Sequence, residues 1–328
     1  MTTHAAPVPG AVLAGAPRRD SLRRSARRHR LKVLAFLSPG LIGMAVFFAY
    51  PLVANIYFSF TSFDLINPAR FVGLDNYRFM VEGDSQIGTA IRNTVWFCVI
   101  AVPVQLAFAL GVASVLARIK SGAGFYRTLF YLPTLLPPVA ATLAFTFILN
   151  PGTGPVNAIL EALNLPTPLW FNDPAWSKPS LVLLSLWGVG NTIIILLAAT
   201  LDVPAELEEA AALDGAGAVR RFRHITLPMI SPVLLFATIM GVIQSLQIFT
   251  QPYVVSTVLG SGSGVSTDSL GYPQNSTLFF TMWLYQQGFR YFNMGYASAL
   301  SIVMFVVTLA VTLLIIRGTW DRVHTAGS

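Results

Sequence analysis

Six long apolar runs constrain this chain more than any other feature. They lie near residues 33–58, 94–117, 129–149, 181–201, 229–255 and 295–316. Each approaches or exceeds the ~20 residues that carry a helix across a bilayer. Lipid offers no hydrogen bonds to peptide groups, so such a run must pair its own backbone as a helix. Composition agrees: 54% of residues are hydrophobic and 11% charged, against about 25% charged in a soluble domain. The expected fold class is all-α, a polytopic membrane protein with six transmembrane helices. Pro39, Pro51, Pro103, Pro137, Pro138 and Pro232 fall within or beside the runs, and membrane helices tolerate proline. The single cysteine, Cys98, lies in an apolar run; it has no intramolecular partner and reads as a small apolar filler.

Basic residues orient the spans. With the N-terminus inside, the inner segments hold 16 of the 21 Lys and Arg and the outer segments 5, while the 14 acids divide evenly. Both termini are therefore expected in the cytoplasm. Four regions follow: a tail at 1–31, a first helix with an external loop at 32–87, a core at 88–317, and a second tail at 318–328. The first tail carries Arg18, Arg19, Arg23, Arg24, Arg27, Arg28 and Arg30 with little apolar content. It is expected to be disordered and to lie near anionic lipid headgroups. A twin-arginine signal fits poorly, because the following apolar run is too long and lacks a small-residue cleavage site. Nucleic acid is not an expected partner, since no folded basic domain accompanies the tail.

Several chemistries are missing. None of Lys32, Lys120 and Lys178 follows a glycine, so there is no G-x-x-x-x-G-K-[ST] phosphate-binding loop and the chain is not expected to bind ATP in that way. His4, His29, His224 and His324 are scattered outside the spans, which disfavours a metal cluster. No His, acid and Ser constellation falls at one membrane depth, so no catalytic residue and no cofactor is expected. Charged residues are also absent from the span centres. Ion-coupled carriers usually keep them there, and an uncharged substrate fits their absence.

Uncharged polar groups are present instead. The fourth span holds Trp187, Gly188, Gly190, Asn191 and Thr192, and the fifth holds Gln244, Ser245, Gln247, Phe249, Thr250 and Gln251. Gln244, Gln247 and Gln251 recur at i, i+3 and i+7, one face of a helix. Amides facing lipid are costly, so this face should meet a cavity or a neighbouring helix. Substrate contact and interhelical hydrogen bonding both fit Gln244 and Gln247; packing fits Gln251 better. Asn191 beside the Trp187 indole is the better substrate candidate. Thr142, Phe145 and Thr146 on the third span are weaker ones.

The densest charge in the second half lies in EEAAALDGAGAVRRFRHITLPMISP, residues 208–232. Pro204 suits a first helical turn. Glu206, Glu208 and Glu209 suit the positive end of the helix dipole, and Ala210, Ala211 and Ala212 favour helix with little bulk. Gly215 and Gly217 stop it. The expected product is a helix of about three turns with a smooth alanine face and an acidic flank, suited to a groove in another protein.

The spacing of Glu209, Ala210, Ala211, Gly215, Ile225, Leu227 and Pro228 resembles the EAA loop of permease subunits of binding-protein-dependent ABC importers. The stretches SPGLIGMAVFFAYPLVANIYFSFTSFDL, FVGLDNY, GFYRTLFYLPTLLPP and FRYFNMGYASAL resemble the carbohydrate and glycerol-3-phosphate branch of that family. The resemblance runs from about residue 33 to 317. It implies a type I permease fold in a bacterial plasma membrane, with Glu209, Ala210, Ala211, Asp214 and Gly215 docking an ATPase. It further implies a second homologous permease, an ATPase dimer, an extracytoplasmic solute-binding protein and a sugar-like substrate, for whose pathway Trp187, Asn191, Gln244, Gln247 and Phe249 are the candidates read from the spans. The Ser/Gly-rich stretch Ser256 to Ser276 is longer than the branch usually has. A secondary carrier or channel for a small polar solute is the alternative reading, and a polyol or glycerol phosphate also fits as substrate.

Overall fold

The computed structural model describes residues 19–262 and 270–324. The chain forms two compact units, residues 1–55 and 56–328. In the first unit α1 (Arg19–Met44) passes through a π turn (Ala45–Ala49) into α2 (Tyr50–Ser59). The π turn has a local cause. Pro51 has no N–H to donate to Phe47, and the ladder widens so that the Tyr50 N–H reaches the Ala45 carbonyl. The apolar length, Lys32–Ser59, is apolar on every side, and Phe36, Phe47 and Phe48 are exposed. Residues 19–31 are helical, not disordered as the composition led us to expect. Their Arg, Leu and Ala content favours helix, and the span supplies a nucleus to extend. Residues 1–18 of that tail lie outside the described residues.

In the second unit a short antiparallel pair, β1 (Thr61–Ser62) and β2 (Arg70–Phe71), precedes α3 (Asp75–Glu82) and the 30-residue α4 (Ile87–Leu116). Helix α4 is the post on which the unit is built. Ala90, Ala101, Ala109 and Ala113 on its buried face are fully covered. Small residues at helical spacing let neighbouring backbones come close. Helix α5 (Ala123–Tyr131) leads through a 3₁₀ turn (Leu132–Leu135) to α6 (Pro138–Ile148), and α7 (Pro155–Ala162) follows. Next come α8 (Pro174–Trp187), α9 (Gly190–Leu201) and α10 (Ala205–Leu213). Then α11 (Ala218–Arg221), a π turn (Phe222–Thr226) and the single turn α12 (Leu227–Met229) lead into α13 (Ser231–Leu246) and α14 (Thr250–Gly262). Helix α15 (Phe280–Tyr285), a π turn (Gln286–Arg290) and α16 (Met294–His324) close the chain. Helices α8, α9 and α13 all pack on α4.

Among the described residues, four helical lengths can cross a membrane as they stand: Lys32–Ser59, Ile87–Leu116, Ser231–Gly260 and Met294–Thr319. Two bent pairs make six if each counts as one span. The first pair, Ala123–Leu135 with Pro138–Ile148, bends by 97°; the second, Pro174–Trp187 with Gly190–Leu201, bends by 53°. The first break falls where Leu136 is extended before the Pro137–Pro138 pair, a position proline disfavours for helix. The second falls at Gly188–Val189. A third, milder interruption at Gln247–Phe249 separates α13 from α14. The Ser256–Ser276 stretch, expected as loop, is helical as far as Gly262, and residues 263–269 lie outside the described residues.

Polar side chains tie the elements at the end of the unit that holds the start of α4. The Asn93 amide donates to the carbonyls of Asn275 and Leu278, and Lys178 Nζ donates to Asn93 Oδ1 at 3.0 Å. Asp84 is the main knot. Its Oδ1 accepts the backbone N–H groups of Gln86 and Ile87, and its Oδ2 accepts the Trp283 indole N–H and the Tyr296 hydroxyl. One carboxylate thus caps α4 and holds α15 and α16 against it. Asp84→Ala should cost about 2–4 kcal/mol, because two donors on buried residues lose their acceptor. Asp84→Asn keeps an acceptor and should lose less than half as much. Thermal unfolding in detergent measures both; two small, equal shifts would show that the knot does not hold the bundle.

Candidate functional site

The three helix breaks meet. Residues of all three line one cavity of about 500 Å³: Pro133, Thr134 and Leu136 from the first, Trp187, Gly188 and Val189 from the second, Gln247, Ile248 and Phe249 from the third. A neighbouring cavity of about 620 Å³ is lined by Arg127, Thr128 and Tyr131 of α5, Asn191 of α9, and Phe236 and Met240 of α13. Gln105, Thr192 and Gln244 line both. At the crossing of the first two breaks, a Cβ on Gly190 would stand 2.2 Å from Thr134 Oγ1 and 2.8 Å from the Phe130 carbonyl oxygen. Only glycine allows α9 to start there. The Ile248 carbonyl, freed by the third break, accepts the Thr281 hydroxyl of α15.

The structure brings the expected polar residues together by a different geometry from the one read in the sequence. Gln244, Gln247 and Gln251 do not share the face of one continuous helix. Gln244 is on α13, Gln247 caps its end, and Gln251 is on α14. All three still line the 500 Å³ cavity. Trp187 and Asn191 lie on opposite sides of the second break, so they line different cavities. The Trp187 ring meets the edge of Phe145 at 5.6 Å, yet 45% of the residue stays exposed. Phe249 lines the cavity beside Thr250. Thr142 and Thr146 spend their hydroxyls on carbonyls of their own helix, those of Pro138 and Leu143; Thr142 also borders the cavity and is fully buried.

Several lining residues escaped the sequence reading, Gln105 and Arg127 among them. Gln105 follows Pro103 in a long apolar run, where a lone amide carries no periodic signal. Arg127 counted only toward topology, but it lines the 620 Å³ cavity, and its Nε is buried with no hydrogen-bond partner among the described residues. The cavity wall therefore carries one positive charge, which the reading of uncharged span centres did not include.

The other candidate surface is α10 with the turn after it. The helix starts at Ala205, with Pro204 just before it rather than inside the first turn. Its end is a Schellman cap: the Ala216 N–H reaches the Ala211 carbonyl at 2.9 Å and the Gly215 N–H reaches that of Ala212 at 3.1 Å. That cap needs a left-handed residue, and Gly215 supplies it at φ +81°. Asp214 occupies the cap position and is exposed. On the inner side, Thr226 donates to the Glu208 carboxylate at 3.0 Å, and Arg221 reaches the Glu208 carbonyl at 3.4 Å. Glu208 thus ties α10 to the segment that ends in Ile225, Leu227 and Pro228. Glu209 and Ala210 face solvent, Ala211 is half-buried, and Leu213 is 90% exposed.

A helical membrane protein whose spans break around a polar cavity belongs among the solute-transport components, since irregular backbone survives at membrane depth only where protein or water pairs it. Residues 105–319 match the binding-protein-dependent transport system inner membrane component family, and the chain belongs to it. It is 35% identical over 302 residues to the probable ABC transporter permease protein YesP of Bacillus subtilis (strain 168), covering 92% of this chain and 94% of that one. It is 33% identical over 292 residues to the sulfoquinovosyl glycerol transport system permease protein SmoG of Agrobacterium fabrum, covering 88% and 90%. Its fold matches a chain of a bacterial alginate ABC transporter solved with an alginate pentasaccharide-bound periplasmic protein. The TM-score is 0.73 at 21% identity, with 92% of this chain and 97% of that chain covered.

The cap generates a test. A Cβ at Gly215 meets open space, so the penalty for a side chain is conformational, about 1–2 kcal/mol for alanine. Asparagine, which tolerates the left-handed region, should cost less. Amide exchange of α10 should be fastest in Gly215→Ala, intermediate in Gly215→Asn and slowest in the parent. Equal rates in all three would show that the turn does not depend on the cap.

Proposed function

We propose that this chain is the permease subunit of an ABC importer that moves a sugar or sugar-like solute into the cytoplasm. ATP hydrolysis takes place on a separate ATPase docked at α10. The observation that carries the reading is the contrast within α10. Glu208 is tied inward to Thr226, while Glu209, Ala210 and Leu213 point outward from a capped helix. Such a helix transmits a push, because its inner side is bonded to the segment leading into α13. The chain has no phosphate-binding loop of its own. The basic asymmetry puts this loop and both termini in the cytoplasm, where ATP is. The full assembly on this reading is two homologous permeases, an ATPase dimer and an extracytoplasmic solute-binding protein, embedded in membrane lipid.

The substrate side rests on the cavities. Gln105 and Gln244 present amides and Thr192 a hydroxyl to both cavities; Gln247 adds an amide to the 500 Å³ cavity and Asn191 one to the 620 Å³ cavity. Amides that both donate and accept suit the hydroxyls of a sugar. The Arg127 guanidinium on the same wall extends the class to sugars that carry an anionic group. That extension agrees with the sulfonate-bearing solute in the name of SmoG.

Glu209→Lys tests the reading. A charge pair formed on docking is shielded from water, and reversing one member costs about 3 kcal/mol or more, roughly a hundredfold in affinity. The variant should insert at normal levels, fail to retain the ATPase on purification and lose uptake. If the ATPase stays bound and uptake persists, α10 is an ordinary loop. If uptake survives removal of the ATPase gene, the chain works as a secondary carrier or channel.

A further inference from the structure

A run of aromatic rings at the third break, on α14, on α15 and in the π turn after it starts at the cavity. Phe249 lines the cavity. Its ring stacks on Tyr253 at 5.1 Å and meets Tyr285 at 5.2 Å. Tyr253 and Tyr285 meet edge-on at 5.5 Å, and Tyr285 stacks on Phe289 at 5.3 Å. The four rings form one unbroken strip. Phe249, Tyr253 and Tyr285 are half-buried, and Phe289 is 60% exposed.

The strip is mounted rigidly. Thr281 of α15 holds the Ile248 carbonyl at the third break, which fixes the residue next to Phe249 against the helix that carries Tyr285. Behind the rings Gln286 and Gln287 are buried; Gln286 donates to the Tyr291 hydroxyl at 2.9 Å and Gln287 accepts from Asn293 at 3.0 Å. The π turn Gln286–Arg290 inserts one residue into the helix and so sets the angle at which Phe289 continues the line.

We propose that Phe249, Tyr253, Tyr285 and Phe289 form a stacking track for carbohydrate rings that starts at the cavity and ends at the exposed Phe289. The proposal rests on the sugar-importer reading. A pyranose or furanose ring has C–H faces that are slightly positive, and they suit the negative faces of aromatic rings. Its hydroxyls lie around the rim, where the two tyrosine hydroxyls can meet them. Four similar, modest sites in series also suit passage, since each can be left as easily as it is entered.

The test uses the purified importer complex in proteoliposomes and three labelled probes: lactose, arabinopentaose and sulfoquinovosyl glycerol. Tyr285→Leu and Phe289→Leu should raise KM for the transported probe by about tenfold, with kcat changed less, and more for arabinopentaose than for lactose if both are carried. Tyr285→Phe should restore KM to within about twofold, since the ring face is kept. A packing role instead predicts lower complex yield and melting temperature with an unchanged KM, and that result overturns the track. Uptake by the parent that is unaffected in KM by either leucine variant also overturns it, while leaving the importer reading intact. Uptake of none of the three probes by the parent complex overturns both.

Discussion

The peptide group's need for a hydrogen bond governs this structure. In lipid it can be met only inside a helix, so every place where a span stops being helical must be covered by protein or wetted. This chain breaks its helices three times at one level: at Leu136–Pro137, at Gly188–Val189 and at Gln247–Phe249. Grouping the breaks lets one cavity serve all three. The freed Ile248 carbonyl shows the alternative solution, a side chain, Thr281, brought in to pair it. The polar lining includes residues at the breaks themselves, such as Thr134, Trp187 and Gln247. The alanine face of α4 makes the grouping possible by letting α8, α9 and α13 share one post.

The α10 loop works on a different principle, in which one part is held and the adjacent part is displayed. Glu208 and Glu209 are neighbours of the same type, yet the first bonds Thr226 and the second faces solvent. A helix of nine residues is too short to be stable alone in water. The Schellman cap at Gly215 and the Glu208–Thr226 bond supply the rest. The Glu208–Thr226 bond joins α10 to the segment that leads into α13, whose far end is the Gln247 break. The sequence of bonds connects a solvent-facing helix to the cavity wall through two covalently continuous elements.

Much of this was legible before any coordinates. The apolar runs give the spans to within a few residues at Lys32–Ser59 and Met294–Thr319, because helix length against bilayer thickness is a strong constraint. The α10 helix and its stop at Gly215 follow from local chemistry, alanine propensity and a glycine at the left-handed position. The breaks were not legible as a set. Pro137–Pro138 marks one, but Gly188 and Gln247 look like tolerated residues in continuous helices, and only tertiary packing decides that they interrupt. For the same reason the three glutamines were placed on one helix face, although they converge by a turn in the chain. Gln105 and Arg127 were invisible as site residues because neither belongs to a pattern. Residues 19–31 are helical although their charge and composition point to disorder, because their Arg, Leu and Ala propensity favours helix.

The central claim is that the meeting of three breaks creates a water-filled cavity, and accessibility to a water-borne reagent tests it most directly. In a chain with Cys98 replaced by serine, single cysteines at Trp187, Asn191 and Gln244 line the cavities. A cysteine at Val99, which is 62% exposed on α4 and lines neither cavity, is the lipid-facing control. A charged, membrane-impermeant maleimide should label the three cavity positions in membranes and leave Val99→Cys unlabelled. Labelling of none of the three, with all four positions equally silent, would show that the breaks are sealed by packing and that no hydrated path runs through them.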